Sequence, residues 1–169
     1  VLKLRDLWPQ LQAVSCWTGG SSAIFLDQLQ DQFPAQTLIR ELGYLASEFR
    51  GTIPLSSATT AGLPTFRSNF LEFVQRDAWD QQRPCFLDLH QLADKQQYYL
   101  FVTTDAGLFR YDMNDVVEVD GFYRQVPLLR FVQKGKGVTN ITGEKLYESQ
   151  AIAAVRRAEA QFALQSAFF

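Results

Sequence analysis

Two carboxylates stand three residues apart in GLFRYDMNDVVEVDG, residues 107–121, where a strand begins: Asp112 and Asp115. Strand interiors disfavour aspartate, so a carboxylate there needs a reason. Its two acceptor oxygens suit a pair of ribose hydroxyls, and they suit a turn or cap equally well. A second cluster is Tyr44-Leu45-Ala46-Ser47-Glu48, which holds an aromatic face, a hydroxyl and a carboxylate. An adenine can stack on such a ring, and Mg²⁺ can take the Glu oxygen; a surface loop is the plainer reading. The third is Thr18-Gly19-Gly20-Ser21, a turn that can bring backbone N–H groups to a nucleotide. Many strand–helix turns look the same.

Other chemistries find little support. His90 is the single histidine, in LDLHQLAD, without a second His or a Cys nearby; a surface or structural role is expected. There is no GxSxG elbow and no GxxxxGK[ST] loop, which argues against a serine hydrolase and a P-loop enzyme. Cys16 and Cys85 lie in apolar contexts and form no CxxC. Buried free thiols in a reducing cytosol are expected, hence a cytoplasmic protein.

Particular elements must position these groups. LQAVSCW, residues 11–17, reads as a buried strand, and TGGSS breaks it. Ser21 or Ser22 can cap the next helix, which carries Ile24, Leu26, Leu29 and Phe33 and ends at Pro34. TLIREL is a second short strand. Residues 56–68 read as a loop, NFLEFV as a strand, and residues 75–84 as a polar surface insertion. YYLFVTT and DVVEV are strands. Asp120-Gly121 is a hairpin signal before FYRQV, and Pro127 breaks the run ahead of LLRFV. QKGKG, residues 133–137, reads as a flexible joint. VTNI is a short strand, and Ser149 caps a helix carrying Ile152, Val155, Ala158 and Phe162.

The chain has 169 residues, 47% of them hydrophobic and 20% charged, with a net charge of −2. That is ordinary globular composition, long enough to bury a sizeable core. No basic excess points to nucleic acid. No apolar run approaches the ~18 residues of a membrane span, and VLKLRDLWPQ is no signal peptide. The 14 phenylalanines are expected to serve core packing.

Taken in order, the segments WPQL…WTGGS, YLASE, GLFRY…DVVEV, FVQK and EKLYE are similar to the auxin-responsive Gretchen-Hagen family of acyl-acid amido synthetases. These are adenylate-forming enzymes, and the resemblance runs from about Leu7 to Glu148. It implies an α/β fold: residues 1–132 as the C-terminal part of the large mixed α/β-sheet domain, 133–137 as a hinge, and 138–169 as the start of a small α+β domain. The implied chemistry uses ATP and Mg²⁺ to adenylate a carboxylic acid, then transfers the acyl group to an amine such as an amino acid. A thiol acceptor such as coenzyme A, or a non-catalytic nucleotide-binding module, are the alternatives.

Carried over by residue, the resemblance places Gly19 and Gly20 in the turn beside the adenine, Tyr44 by the base and Ser47 near the phosphates. The same resemblance implies that Glu48 binds or positions Mg²⁺, that Asp115 holds the ribose hydroxyls, and that Lys145 is the catalytic lysine that reaches the nucleotide after the small domain closes. Lys134 stands where the family has Arg near the hinge, for a ribose or phosphate role, and lacks the planar fork. Asn114 replaces a glycine before the aspartate; Asn tolerates positive φ. The Ser/Thr/Gly-rich phosphate loop of the family lies upstream of the glycine turn, and residues 1–17 hold no such segment. The chain is therefore expected to be a central-to-C-terminal portion of a synthetase, unable to adenylate alone.

Overall fold

The computed structural model describes residues 2–19, 22–135, 139–140, 145–146 and 148–162. The chain divides into two compact units, one of Val1–Leu42 with Thr139–Phe169 and the other of Gly43–Val138.

In the first unit a short helix α1 (Leu4–Leu7) precedes β1 (Ala13–Cys16), α2 (Ser22–Leu29) and β2 (Leu38–Glu41). β1 and β2 pair in parallel, Ala13 opposite Leu38 through Cys16 opposite Glu41. Two parallel neighbours need a crossover, and the glycine turn plus α2 supply it, as the sequence suggested. The last apolar position, Phe33, follows a 3-10 turn (Gln30–Gln32). β10 (Thr139–Asn140) and β11 (Lys145–Leu146) pair antiparallel before α4 (Glu148–Phe162). Ile152, Val155 and Ala158 are half-buried, the spacing expected of an amphipathic helix, whereas Phe162, expected on the same face, is exposed. Ser149 lies inside α4 rather than at its cap. The expected cap Ser21 is outside the described residues, and α2 opens at Ser22.

The second unit is an antiparallel sheet. Its strands are β3 (Thr52–Pro54), β4 (Gly62–Pro64), β5 (Asn69–Gln75), β6 (Phe86–Asp88), β7 (Gln97–Thr104), β8 (Tyr111–Tyr123) and β9 (Val126–Lys134). They run in the order β3-β4-β9-β8-β7-β5-β6. The central strands are covered on both faces, which explains the unbroken apolar run YYLFV. Leu100 and Val102 of β7 join Phe73, Val117, Val119 and Leu129 in one core. Tyr99 and Phe101, pointing the other way, join Val74 and Val116 in a second.

Four sequence expectations fail here, each for a local reason. Residues 75–84 are not a plain polar insertion: they contain α3 (Arg76–Asp80), whose Trp79 packs on Tyr99 and Phe101 with ring centroids 5.5 and 5.2 Å apart. One large aromatic outweighs its polar neighbours. Trp79→Ala is expected to lower stability by about 2–3 kcal/mol, seen as a lower urea midpoint. The 56–68 loop contains β4, whose Gly62 pairs with Leu129. A Cβ there would come 2.9 Å from the Ile53 backbone, so this glycine permits a close strand approach rather than a turn.

Asp120-Gly121 is not the hairpin tip. β8 runs through it, and the register shifts between Val119 and Phe122, so the pair forms a bulge with Gly121 at φ +86°. Asp94 accepts the Gly121 N–H, and Lys95 pairs with Asp120. The tip is Arg124-Gln125, between the paired Tyr123 and Val126, with Arg124 itself at φ +58°. Pro127 does not break the strand: it is buried as the second residue of β9, opposite Phe122 beside the bulge, a position proline tolerates.

The cysteines differ from expectation as well. Cys85 is exposed and Cys16 half-buried. Burial, and then the Glu41 carboxylate, push the Cys16 thiol above its ordinary range. Iodoacetamide at pH 8 is expected to alkylate Cys85 first and Cys16 several-fold more slowly, as peptide mass mapping would record.

Candidate nucleotide site

Asp115 lies at a break in the β7–β8 ladder. Tyr99 pairs with Val116 and Phe101 with Asp112, so Met113, Asn114 and Asp115 stand where the partner strand has Leu100 alone. Asn114 takes the strain with φ +51°, a conformation Asn accepts more readily than β-branched residues. The Asp112 carboxylate caps the bulge by accepting the Asn114 N–H at 2.7 Å. The Asn114 carbonyl accepts the Gly135 N–H at 2.7 Å. A Cβ on Gly135 would fall 2.2 Å from the Tyr99 ring, so the chain can leave β9 here only as glycine.

This bulge turns Asp115 inward until it is 1% exposed. The Tyr44 hydroxyl donates to its Oδ2. The Lys134 ammonium stands 2.6 Å from Oδ1, and Oδ1 accepts no directed hydrogen bond besides. A buried carboxylate with one oxygen held only by an ion pair has acceptor capacity to spare. The Lys134 side chain is 54% exposed, so its ammonium can exchange with water.

Tyr44 is held by a tight turn. Its carbonyl accepts the N–H groups of Gly51 and Thr52, and its own N–H donates to the Thr52 hydroxyl. Leu45 bridges Arg50, which leaves Ser47 and Glu48 exposed at the tip. The ring stacks on Phe131, centroids 5.9 Å and planes 10° apart, and meets the edge of Phe49 at 5.7 Å. Burial foremost, then the negative charges of Asp115 and Glu48, hold the Tyr44 hydroxyl well above its usual range. It stays a proton donor at physiological pH.

Tyr44, Asp115 and Lys134 are thus brought together, with the Glu48 charge felt at Tyr44. Arg110 and Asp112 serve the scaffold. The Arg110 guanidinium makes a two-point pair with Glu72, at 2.9 and 2.6 Å, and lies over the Phe86 ring. Gly19 follows Thr18, whose N–H and hydroxyl both donate to the Glu41 carboxylate, at 2.7 and 2.5 Å. That contact ties the glycine turn to the end of β2. Nothing in TLIREL marked Glu41 for it. Gly20 lies outside the described residues, Lys145 is placed on β11 by its backbone alone, and Gln133 and Lys134 end β9. His90 is exposed, as expected. Among the described residues no cluster of three metal-ligating side chains occurs, and no helix is long and apolar enough to cross a membrane.

Comparison with known proteins shows what the chain is similar to. Residues 62–134 match the model of the GH3 family central domain, a span that runs from β4 to the end of β9 and includes Asp115 and Lys134. The chain is 31% identical to a probable indole-3-acetic acid-amido synthetase, GH3.6, of Oryza sativa subsp. japonica, over 90% of this chain and 33% of that protein. It is 38% identical to indole-3-acetic acid-amido synthetase GH3.17 of Arabidopsis thaliana, over 92% of this chain and 29% of that protein. Its backbone resembles the solved GH3.15 acyl acid amido synthetase with a TM-score of 0.80 at 25% identity, covering 94% of this chain and 28% of that one. The chain therefore spans about a third of the length of the curated relatives it matches. Residues 62–134 thus match the GH3 family central domain, and most of the chain is similar to GH3 amido synthetases.

Proposed function

We propose that the protein to which this chain contributes is an ATP-dependent ligase that adenylates a carboxylic acid and passes the acyl group to an amine, such as an amino acid. The observation that carries this reading is Asp115: a carboxylate turned inward by a bulge, with Oδ1 held only by an exchangeable ammonium. Two acceptor oxygens at fixed positions suit a vicinal diol, and ribose offers one. ATP supplies the leaving group that makes a carboxylate reactive toward an amine. The protein's share is then positioning and charge neutralisation, which fits a sequence without a GxSxG elbow.

Asp115 orients the ribose, and Lys134, displaced from Oδ1, is free to face the phosphates as a point charge. Glu48 fits Mg²⁺ as a single exposed carboxylate, because that ion keeps several waters and takes its remaining ligands from phosphate. Ser47, beside it at the same tip, is in reach of the same phosphates. Gly19, Gly20 and Lys145 keep the adenine-turn and catalytic roles that the family resemblance gives them, and 133–137 keeps that of a hinge between 1–132 and 138–169.

The test is made on the full-length protein. Acid-dependent ATP–pyrophosphate exchange is expected with indole-3-acetic acid, the acid for which the relatives are named, together with amide formation when amino acids are added. A thioester with coenzyme A and no amide would refute the amine as acceptor. Absence of exchange with any of a panel of carboxylic acids would refute the ligase.

A further inference from the structure

Tyr44 was expected beside the base, but its ring has little face to offer. It is 7% exposed, lies parallel to Phe131 and is edged by Phe49. Gly51 approaches so closely that a Cβ would sit 2.1 Å from the ring. A ring walled in this way cannot turn, so its hydroxyl has a fixed address. That address is Asp115 Oδ2, 71 residues further along the chain.

We infer that Tyr44 is a positioning residue for the nucleotide: its hydroxyl locks the Asp115 carboxylate in the rotamer that turns Oδ1 to the exchangeable Lys134 ammonium, so Tyr44 governs ribose recognition through Asp115. A lone carboxylate on a strand has two or three χ1 wells and a broad χ2. A donor fixed on one oxygen removes that freedom before the ligand arrives, and an interaction prepaid in this way strengthens binding. Because the Tyr44 hydroxyl keeps its proton, one lone pair of Oδ2 stays engaged, and Oδ1 with the second lone pair of Oδ2 is left for the ligand hydroxyls. The turn of residues 43–52 is thereby wired to the clamp on β8. This rests on the reading of Asp115 as the ribose clamp.

The test compares ATP with 2′,3′-dideoxy-ATP on the full-length protein, its Tyr44→Phe variant and its Asp115→Ala variant. Phe keeps the ring and its stack on Phe131 and removes only the hydroxyl. Tyr44→Phe is expected to weaken ATP binding about 10-fold and leave dideoxy-ATP unchanged, so that the preference for ribose shrinks. A role confined to packing or to the base would weaken both nucleotides alike, and that result, or an unaltered preference, would overturn the inference. The Asp115→Ala arm separates the two layers. If it abolishes the preference while Tyr44→Phe leaves it intact, only the positioning role of Tyr44 fails. If Asp115→Ala retains the preference, the ribose clamp itself fails.

Discussion

Asp115→Ala in the full-length protein is expected to lower acid-dependent ATP–pyrophosphate exchange about 100-fold, measured as kcat/KM for ATP. The estimate follows from geometry. Asp115 is 1% exposed and can accept from both hydroxyls of one ribose, and a hydrogen bond to a charged group contributes roughly 1.5–3 kcal/mol. Two such bonds, less the cost of displacing the Lys134 ammonium from Oδ1, come to about two orders of magnitude. The substitution also orphans the buried Tyr44 hydroxyl at about 1–3 kcal/mol, so the melting temperature is expected to fall by a few degrees. Lys134 re-solvates at little cost, since its side chain is half-exposed. The loss of exchange should therefore exceed anything the loss of folded protein accounts for, and titrating active sites at low temperature would confirm it.

Gly51→Ala is expected to be the most damaging single methyl in the second unit. The added Cβ would meet Tyr44 Cδ1 at 2.1 Å and Cε1 at 2.7 Å. The ring cannot yield, because Phe131 lies parallel to it and Phe49 meets its edge. The backbone cannot yield cheaply either, since the Gly51 and Thr52 N–H groups both bond the Tyr44 carbonyl. Overpacking of a filled site costs about 3 kcal/mol, so the urea midpoint should drop well below the wild-type value. Whatever fold survives should have Tyr44 displaced from Asp115. A variant with wild-type stability would mean that the ring has room to move.

Much of the fold was legible because it followed simple rules. Strand, glycine turn, helix and strand came from periodicity and backbone chemistry, and β1, α2 and β2 lie where those rules put them, although β1 alternates exposed and half-buried residues where a buried strand was expected. The β-branched and aromatic run YYLFVTT spoke for a strand, and the structure covers that strand on both faces. Three of the four failures share one cause: a turn-forming residue says that the backbone is unusual, not what the irregularity is for. Asp120-Gly121 makes a bulge within β8 instead of a hairpin tip, and Gly62 lets two strands approach. Asn114 was legible because Asn in place of a family glycine leaves few conformations to choose from. Asp115 was legible as an aspartate where a strand should begin. Its partners were not, because Tyr44 and Lys134 reach it through tertiary packing that no local spacing encodes. Glu41 escaped notice for the same reason: a carboxylate at the end of a short strand shows nothing in sequence of the Thr18 groups it will accept.

The most direct measurement is the affinity of the wild-type full-length protein for ATP against 2′,3′-dideoxy-ATP, by isothermal titration in the presence of Mg²⁺. If Asp115 is a ribose clamp, ATP is expected to bind about 30- to 100-fold more tightly. Equal affinities would contradict the assignment and leave the buried Asp115 carboxylate as a structural partner of Tyr44 and Lys134.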